Sequence, residues 1–153
     1  MKTIKNFVQL AGVFVFIYLL ASSFNNHPVQ QTTYSLSGVW ELQNQFLYDE
    51  NRVIDTILNE DNYRQVKMYH DDRVMWTRFS PGDTEEWFGY GSYTNTQDEL
   101  IETLEYGSAT MMKIVDTMRV FSFELQLEED AFTQITLDEN GNRISSENYK
   151  RIK

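Results

Sequence analysis

The chain has 153 residues, with 23 Asp and Glu against 13 Lys and Arg, and a formal net charge of −10 at pH 7. This acidity argues against nucleic acids and anionic membrane surfaces as partners, because both select for clustered Lys and Arg. The sequence contains no Cys, which excludes disulfides and thiolate metal sites.

The first 23 residues have the layout of a secretory signal peptide. Lys2 and Lys5 form a basic start, residues 7–20 are almost all apolar, and the small residues Ala21-Ser22-Ser23 follow. A membrane-spanning helix normally needs about 20 apolar residues, so cleavage after position 23 is favoured over an inner-membrane anchor at residues 7–23. We therefore expect an exported protein, periplasmic or secreted, that contacts a membrane only through this segment if it stays uncleaved.

Cleavage at this point would leave 130 residues with 11 Lys and Arg against 23 Asp and Glu, a net charge of −12. A chain of that length forms one domain. Residues 24–36 are polar and place His27 next to Pro28, a composition typical of a flexible tether. The folded domain is therefore expected over residues 37–153.

Alternation of apolar and polar residues predicts a first strand over residues 39–46. Trp40, Leu42 and Phe46 fall on one face of this strand, as a half-buried strand requires. Residues 49–62 are ambiguous. Four apolar residues there have helical spacing, and a long loop with a short strand fits equally well.

The middle of the chain predicts four strands joined by short turns. Residues 70–72 and 80–83 supply two of these turns, the second with Pro and Gly at turn positions. Gly89 and Gly91 interrupt the third strand, where glycine commonly marks a bulge or a bend. The four strands are Tyr63–Tyr69, Arg73–Phe79, Glu86–Thr94 and Glu99–Tyr106.

Residues 108–118 permit a short helix, because Met111, Ile114, Val115 and Met118 recur at helical spacing. Three further strands follow, the last two joined at the hairpin dipeptide Asn140-Gly141. About eight strands in sequential hairpin order predict an all-β fold, an antiparallel up-and-down β-barrel, since closure removes exposed strand edges. The last three strands are Arg119–Leu127, Phe132–Leu137 and Arg143–Ile152.

Four short motifs carry a family resemblance across nearly all of the predicted domain. They are Gly38-Val39-Trp40, Lys67-Met68-Tyr69, Gly91-Ser92-Tyr93 followed by Glu102, and Glu147-x-Tyr149-x-Arg151. In this order and spacing, the chain resembles bacterial secreted lipocalin-like (calycin) domains of uncharacterised function. The resemblance implies an eight-stranded barrel with an internal cavity, and an apolar ligand or none yet known.

The same resemblance implies a role for Trp40 and Arg151 in closing the barrel. In lipocalins, the Trp of the first strand is covered by an Arg from the last strand, and Arg151 is the matching residue here. A guanidinium stacked over an indole contributes roughly 0.5–2 kcal/mol. We interpret this pair as structural rather than ligand-binding.

The strands between the first strand, with Trp40, and the last strand, with Arg151, are rich in aromatic residues that could line a cavity. Ligand cavities are mostly apolar with few polar groups. The alternative is that the same side chains simply fill the barrel, because a small eight-stranded barrel can be packed solid. The candidate lining residues are Trp76, Trp87, Tyr93, Glu102, Phe121 and Phe123.

Glu102 and Glu105 do not form an acid/base pair in this interpretation. Residues three apart on a strand face opposite sides, so the two carboxylates cannot flank one glycosidic bond. Glu102 is expected to be solvated or salt-bridged, or alternatively to serve as a polar anchor inside the barrel.

Two further sets of residues suggest metal binding only superficially. Asp138, Asn140 and Asn142 resemble the start of a calcium loop, but the loop glycine would occupy the fourth position instead of the sixth, so a hairpin turn is the better account. His27 and His70 lie in the tether and in a turn. We therefore predict no metal site, no cofactor and no catalytic residues.

The sequence thus favours a non-enzymatic, exported, lipocalin-like barrel that binds a small apolar ligand in its cavity. The alternative is a protein–protein interaction module whose barrel is packed solid.

Overall fold

The computed structural model describes residues 34–153. The predicted leader (1–23), the alternative anchor (7–23), His27 and most of the predicted tether (24–36) lie outside the described residues. The described part consists of nine β-strands and one short helix. These are β1 (Gly38–Asp49), β2 (Arg52–Leu58), β3 (Arg64–His70), β4 (Arg73–Phe79), β5 (Trp87–Asn95), β6 (Glu99–Gly107), α1 (Ala109–Val115), β7 (Val120–Leu127), β8 (Ala131–Leu137) and β9 (Arg143–Arg151).

Eight of the nine strands close into an antiparallel ring. Each strand from β3 to β8 pairs with its successor in the chain, and β1 pairs with both β3 and β9. The predicted all-β, barrel-like fold is therefore confirmed. β2 stands outside the ring, because it pairs with the second half of β1, from Asn44 to Asp49.

β2 resolves the segment 49–62, for which the sequence allowed either a helix or a loop with a short strand. The hairpin turn consists of Glu50 and Asn51, whose φ angles are 47° and 61°. Two-residue hairpins of the type I′ class need positive φ at both central residues. Helical spacing of the apolar residues has no structural counterpart here, since all seven residues of β2 are exposed.

A bulge in β1 reverses the alternation on which the prediction for Phe46 rested. In the pairing with β9, Leu42 faces Tyr149 and Asn44 faces Asn148, so Gln43 is an extra residue. An extra residue moves every later side chain to the other face. Trp40 and Leu42 are buried as expected, but Phe46 lies on the opposite, outer face, so its predicted position was wrong.

The short helix α1 is capped by Ser108, whose hydroxyl accepts a hydrogen bond of 3.2 Å from the backbone N–H of Met111. Met111 and Val115 are its buried residues. Met118, which the spacing placed on the same face, follows the end of the helix and is half exposed. Within residues 34–153, no helix is long and apolar enough to cross a membrane.

The hydrophobic core has two parts along the barrel axis. The order of inward residues on β6 shows the division, since Leu100 belongs to the first core cluster and Leu104 to the second, with Glu102 between them. The first cluster consists of Leu36, Trp40, Leu42, Tyr69, Val74, Tyr93, Leu100, Leu125, Phe132 and Tyr149. The second is built on Leu104, Met111 and Val115, with Trp76, Trp87, Met112, Ile114 and Phe121 packed around them.

Leu36 corrects the predicted start of the domain. Its side chain is buried in the first core cluster, and its carbonyl accepts a 2.8 Å hydrogen bond from the indole N–H of Trp40. The sequence placed residue 36 in the tether because polar residues surround it. The folded domain therefore begins before residue 37.

Arg151 covers Trp40 at this end of the barrel. The guanidinium carbon lies 3.9 Å from the centroid of the Trp40 ring. The same guanidinium donates to the carbonyls of Ser35 and Ser37, both at 2.8 Å. One side chain therefore holds the incoming chain against the indole.

Backbone conformation and close packing explain why the Gly-x-Trp motif begins with glycine. Gly38 has φ = +143°, and a Cβ at this position would lie 2.3 Å from Nη1 of Arg151. Only glycine combines this backbone conformation with so close an approach. Gly38, Trp40 and Arg151 thus form one packing unit.

We expect Trp40→Ala to cost about 3–5 kcal/mol in the free energy of unfolding, which is the usual cost of removing a buried aromatic side chain. Trp40 is fully buried, and Arg151 would lose the ring that it covers. Urea denaturation monitored by circular dichroism measures the loss. Phe79→Ala is the control, because Phe79 is 62% exposed. Equal denaturation midpoints for the two variants would contradict the closing role of Trp40.

Candidate ligand-binding site

A cavity of about 200 Å³ lies inside the barrel, on the side of the second core cluster. Inward residues of strands β3 to β9 and one residue of α1 surround it. Its lining is half apolar and half polar. The lining residues are Gln65, Lys67, Trp76, Arg78, Trp87, Glu102, Leu104, Met111, Phe121, Phe123, Gln134 and Glu147.

The apolar wall of the cavity is mainly aromatic. Phe121 and Phe123 alternate inward along β7, and Trp76 and Trp87 come from β4 and β5. Gly89 makes room for one of these rings, because a Cβ there would lie 2.7 Å from the indole nitrogen of Trp76. The glycine predicted to mark a bend thus also sets the position of a wall residue.

The polar side of the cavity is a connected network between the two core clusters, which we call the polar layer. Its seven members are Gln65, Lys67, Tyr69, Glu102, Gln134, Glu147 and Tyr149. The network matters because a polar group away from water costs free energy unless it is hydrogen-bonded.

Lys67 and Glu102 form the charged pair of this layer. The Nζ atom of Lys67 lies 3.0 Å and 3.2 Å from the two carboxylate oxygens of Glu102, and 2.7 Å from the amide oxygen of Gln134. Both charged side chains are about 95% buried. The hydroxyl of Tyr69 donates to the same carboxylate.

Glu147 is the second carboxylate of the layer, and neutral groups satisfy it. It accepts hydrogen bonds from the amides of Gln134 at 2.8 Å and Gln65 at 3.2 Å. The hydroxyl of Tyr149 donates to it at 2.7 Å. No Lys or Arg within residues 34–153 forms an ion pair with Glu147.

Burial raises the pKa of Tyr69 and of Tyr149 well above the ordinary tyrosine value, and the neighbouring carboxylates add to this effect. Glu102 acts on Tyr69 and Glu147 acts on Tyr149, in each case as a negative charge and a hydrogen-bond acceptor. Both hydroxyls therefore stay protonated and act as donors to the two carboxylates.

Arg78 occupies the rim of the cavity. Its guanidinium carbon lies 4.4 Å from the centroid of the Trp87 ring, and Nη2 lies 3.5 Å from the carboxylate of Asp83. In the described part of the chain, its buried Nε–H has no hydrogen-bond partner. Arg78 is thus an aromatic-stacked side chain whose charge is shared with a surface carboxylate.

The structure brings together five of the six predicted lining residues. Tyr93 lies elsewhere, in the first core cluster, with its ring centroid 4.8 Å from that of Tyr69. The correction follows from strand length, because Tyr93 is six residues from Trp87 on β5 and therefore about 20 Å away along the strand. The five residues on the cavity are Trp76, Trp87, Glu102, Phe121 and Phe123.

The two glutamates of β6 lie on opposite faces, as expected from their spacing. Glu102 is inside the barrel, paired with Lys67, while Glu105 is exposed and pairs with Arg73. For Glu102, the two sequence-based interpretations coincide, since it is both salt-bridged and a polar anchor of the interior.

The hairpin interpretation of residues 138–142 is also confirmed. The carboxylate of Asp138 accepts from the backbone N–H groups of Asn140 at 2.9 Å and Asn142 at 2.7 Å. The side-chain amide of Asn142, which donates to the same carboxylate at 3.1 Å, lowers the pKa of Asp138 most, and the two backbone hydrogen bonds add to this effect. His70 is exposed beside Asp71 in the turn between β3 and β4.

Sequence reasoning missed the polar side of the cavity apart from Glu102. Gln65, Lys67 and Gln134 were not identified as interior residues, because polar positions of an alternating strand normally face solvent. One pattern on β3 could have indicated the polar interior, because Gln65 and Lys67 share a face of this strand with Tyr69. Glu147 was identified only as part of a motif.

No protein-family model matches the chain, and no curated protein matches it. A crystal structure of an uncharacterized protein from Bacteroides eggerthii DSM 20697 is similar, with a TM-score of 0.50 and 14% sequence identity. The similarity covers 77% of this chain and 100% of the other. At this level of identity, the likeness concerns the fold alone.

We expect Lys67→Met to destabilise the protein by about 3–5 kcal/mol, because it leaves the buried carboxylate of Glu102 without its counter-charge. The control is Arg73→Met, which breaks the half-exposed pair with Glu105 and should cost about 0–1 kcal/mol. Urea denaturation at neutral pH measures both. The double variant Lys67→Met/Glu102→Gln should recover part of the loss, and no difference between the two single variants would contradict the burial argument.

Stability should fall as the pH rises above about 10. The unfolded chain releases its tyrosine protons near pH 10, whereas Tyr69 and Tyr149 keep theirs when folded because their pKa values are raised. The folded state then binds more protons than the unfolded state, so the free energy of unfolding decreases with pH in that range and is unaffected by these groups below it. Denaturation between pH 8 and 11 measures the slope.

The variant Tyr69→Phe/Tyr149→Phe should show a shallower decline over that range. Tyr106→Phe, at a position that is 53% exposed, should behave as the unmodified protein. Identical slopes in all three proteins would rule out the buried hydroxyls as the source.

Proposed function

We propose that this protein is an exported, non-enzymatic, lipocalin-like barrel that binds a small ligand with an apolar body. The observation that carries the proposal is the cavity of about 200 Å³ with an aromatic wall and a hydrogen-bonded polar side. Ligand sites characteristically combine apolar walls with a few placed polar groups.

The size of the cavity limits the ligand. Sites for drug-sized molecules measure about 300–1,000 Å³, whereas an apolar protein cavity of about 150 Å³ accommodates benzene. A single ring or a short alkyl chain fits the present volume. A long-chain lipid would leave most of its length outside.

Two features support the lipocalin-like and exported parts of the proposal. The first is the unit of Gly38, Trp40 and Arg151, which is the arrangement expected from the resemblance. The second is the composition of residues 1–23, with a basic start, an apolar stretch and small residues at the end.

A second candidate function is a protein–protein interaction module, and β2 is the observation that favours it. This strand exposes Val53, Ile54, Ile57 and Leu58, with Leu58 71% and Ile54 64% exposed. In residues 34–153, β2 pairs with β1 alone, so its other edge offers free backbone groups. Such an edge can receive a strand from a partner.

Tryptophan fluorescence separates these two functions. Trp76 and Trp87 line the cavity, whereas Trp40, the third tryptophan, is buried in the first core cluster. A saturable change in emission is expected on titration with one-ring compounds such as 2-phenylethanol. Hexadecanoate is expected to bind more weakly, because its chain exceeds the cavity.

The variant Trp76→Phe/Trp87→Phe keeps only Trp40 and is the matched control. Its fluorescence should not respond, while calorimetry should still detect the ligand, since phenylalanine preserves an aromatic wall. Absence of both signal and heat with every compound would reject ligand binding and favour the interaction module.

A further inference from the structure

Not every charged side chain around the cavity has an oppositely charged partner. Four charged side chains line it. Lys67 and Glu102 neutralise each other at 3.0 Å, and Arg78 lies 3.5 Å from Asp83. Among the described residues, Glu147 alone of the four has no oppositely charged group within ion-pair distance.

Glu147 accepts three hydrogen bonds, which leave one of its roughly four acceptor sites open and do not neutralise its charge. Its three donors are two amides and a phenol, all neutral. Glu147 is partly buried, and a carboxylate that has lost part of its contact with water is stabilised by a counter-charge. Because Glu147 lines the cavity, a ligand that enters can supply that counter-charge.

The aromatic wall favours a positive charge as well. The faces of aromatic rings attract cations, and tryptophan does so most strongly. Two tryptophans and two phenylalanines surround the space that Glu147 adjoins. Two cations of the protein already adjoin these rings, since the guanidinium carbon of Arg78 lies 4.4 Å from the centroid of Trp87 and Nζ of Lys67 lies 5.7 Å from that of Phe123.

The placement of Lys67 disfavours an anionic ligand at the polar layer. Lys67 already forms hydrogen bonds to three oxygen atoms, whereas Arg78 lies over Trp87 beside Asp83 and keeps one buried Nε–H without a partner among the described residues. An anion at the polar layer would instead meet the carboxylates of Glu102 and Glu147. The net negative charge of the whole chain also disfavours an anionic ligand.

We propose that the ligand of this cavity is a small organic cation, an amine on a single ring or a short apolar chain, with its nitrogen on Glu147 and its apolar body against Trp76, Trp87, Phe121 and Phe123. This assignment rests on the proposed ligand-binding function and specifies the chemical class of the ligand.

Three compounds of nearly equal size and different charge test the assignment. They are 2-phenylethylamine, 2-phenylethanol and phenylacetate, titrated into the full chain by calorimetry at neutral pH. The amine should bind roughly tenfold or more tightly than the alcohol, as a charged hydrogen bond implies. Phenylacetate should bind most weakly.

Glu147→Gln should remove the preference for the amine and leave the affinity for the alcohol within about twofold, since the side chain keeps its size. Glu139→Gln is the control for net charge, because Glu139 is exposed in the turn between β8 and β9. Circular dichroism and retained binding of the alcohol show that the Glu147 variant is folded.

The outcomes separate the two proposals. If the alcohol binds as tightly as the amine, or phenylacetate binds best, the cation assignment is overturned and ligand binding stands. If amine preference survives in Glu147→Gln, the assignment of the nitrogen to Glu147 is overturned. If the unmodified protein binds none of the three compounds, the ligand-binding function fails, and the cation assignment fails with it.

Discussion

Closure of the strand ladder between β1 and β9 is the constraint on which the rest of this structure depends. The first and last strands of the domain pair from Trp40 opposite Arg151 to Leu47 opposite Ser145. The same register that closes the ring therefore places the guanidinium beside the indole. Without cysteines, the domain relies on this ladder and on side-chain packing instead of disulfides.

Closure also imposes a condition on the interior. Side chains that point inward lose access to water, so each inward polar group needs a partner within the barrel. The polar layer meets that need with amides, phenols and one Lys–Glu pair. It separates the two core clusters, and the space beside the second cluster remains as the cavity.

Much of the fold was predictable from the sequence, because strand alternation, turn dipeptides and the Gly-x-Trp motif are local signals. The hairpins at residues 70–72 and 138–142 and the inward face of β7 were identified in this way. The wrong position of Phe46 has a non-local cause, since the bulge at Gln43 exists only in the pairing with β9. The β2 hairpin stayed open for a local reason, because its turn uses Glu50 where a glycine or asparagine is usual.

The candidate site was half predictable for the same reason. Aromatic residues on alternating strands point to an interior, so Trp76, Trp87, Phe121 and Phe123 were identified. Polar residues on those strands are ambiguous, since their burial depends on partners from distant strands. Lys67 is compatible with the interior because Glu102 lies across from it, 35 residues later in the chain.

The cavity and the carboxylate of Glu147, which has no ion-pair partner among the described residues, are two departures from common rules, and they occur at the same place. A barrel of this size can be filled by side chains, and a charge that is partly buried, as that of Glu147 is, is usually balanced by an opposite charge. Sequences depart from such rules mainly at functional sites. One bound molecule, an apolar body with a cationic group, would fill the space and balance Glu147 together. A single ligand class therefore accounts for both departures, whereas a purely apolar ligand would account for only one of them.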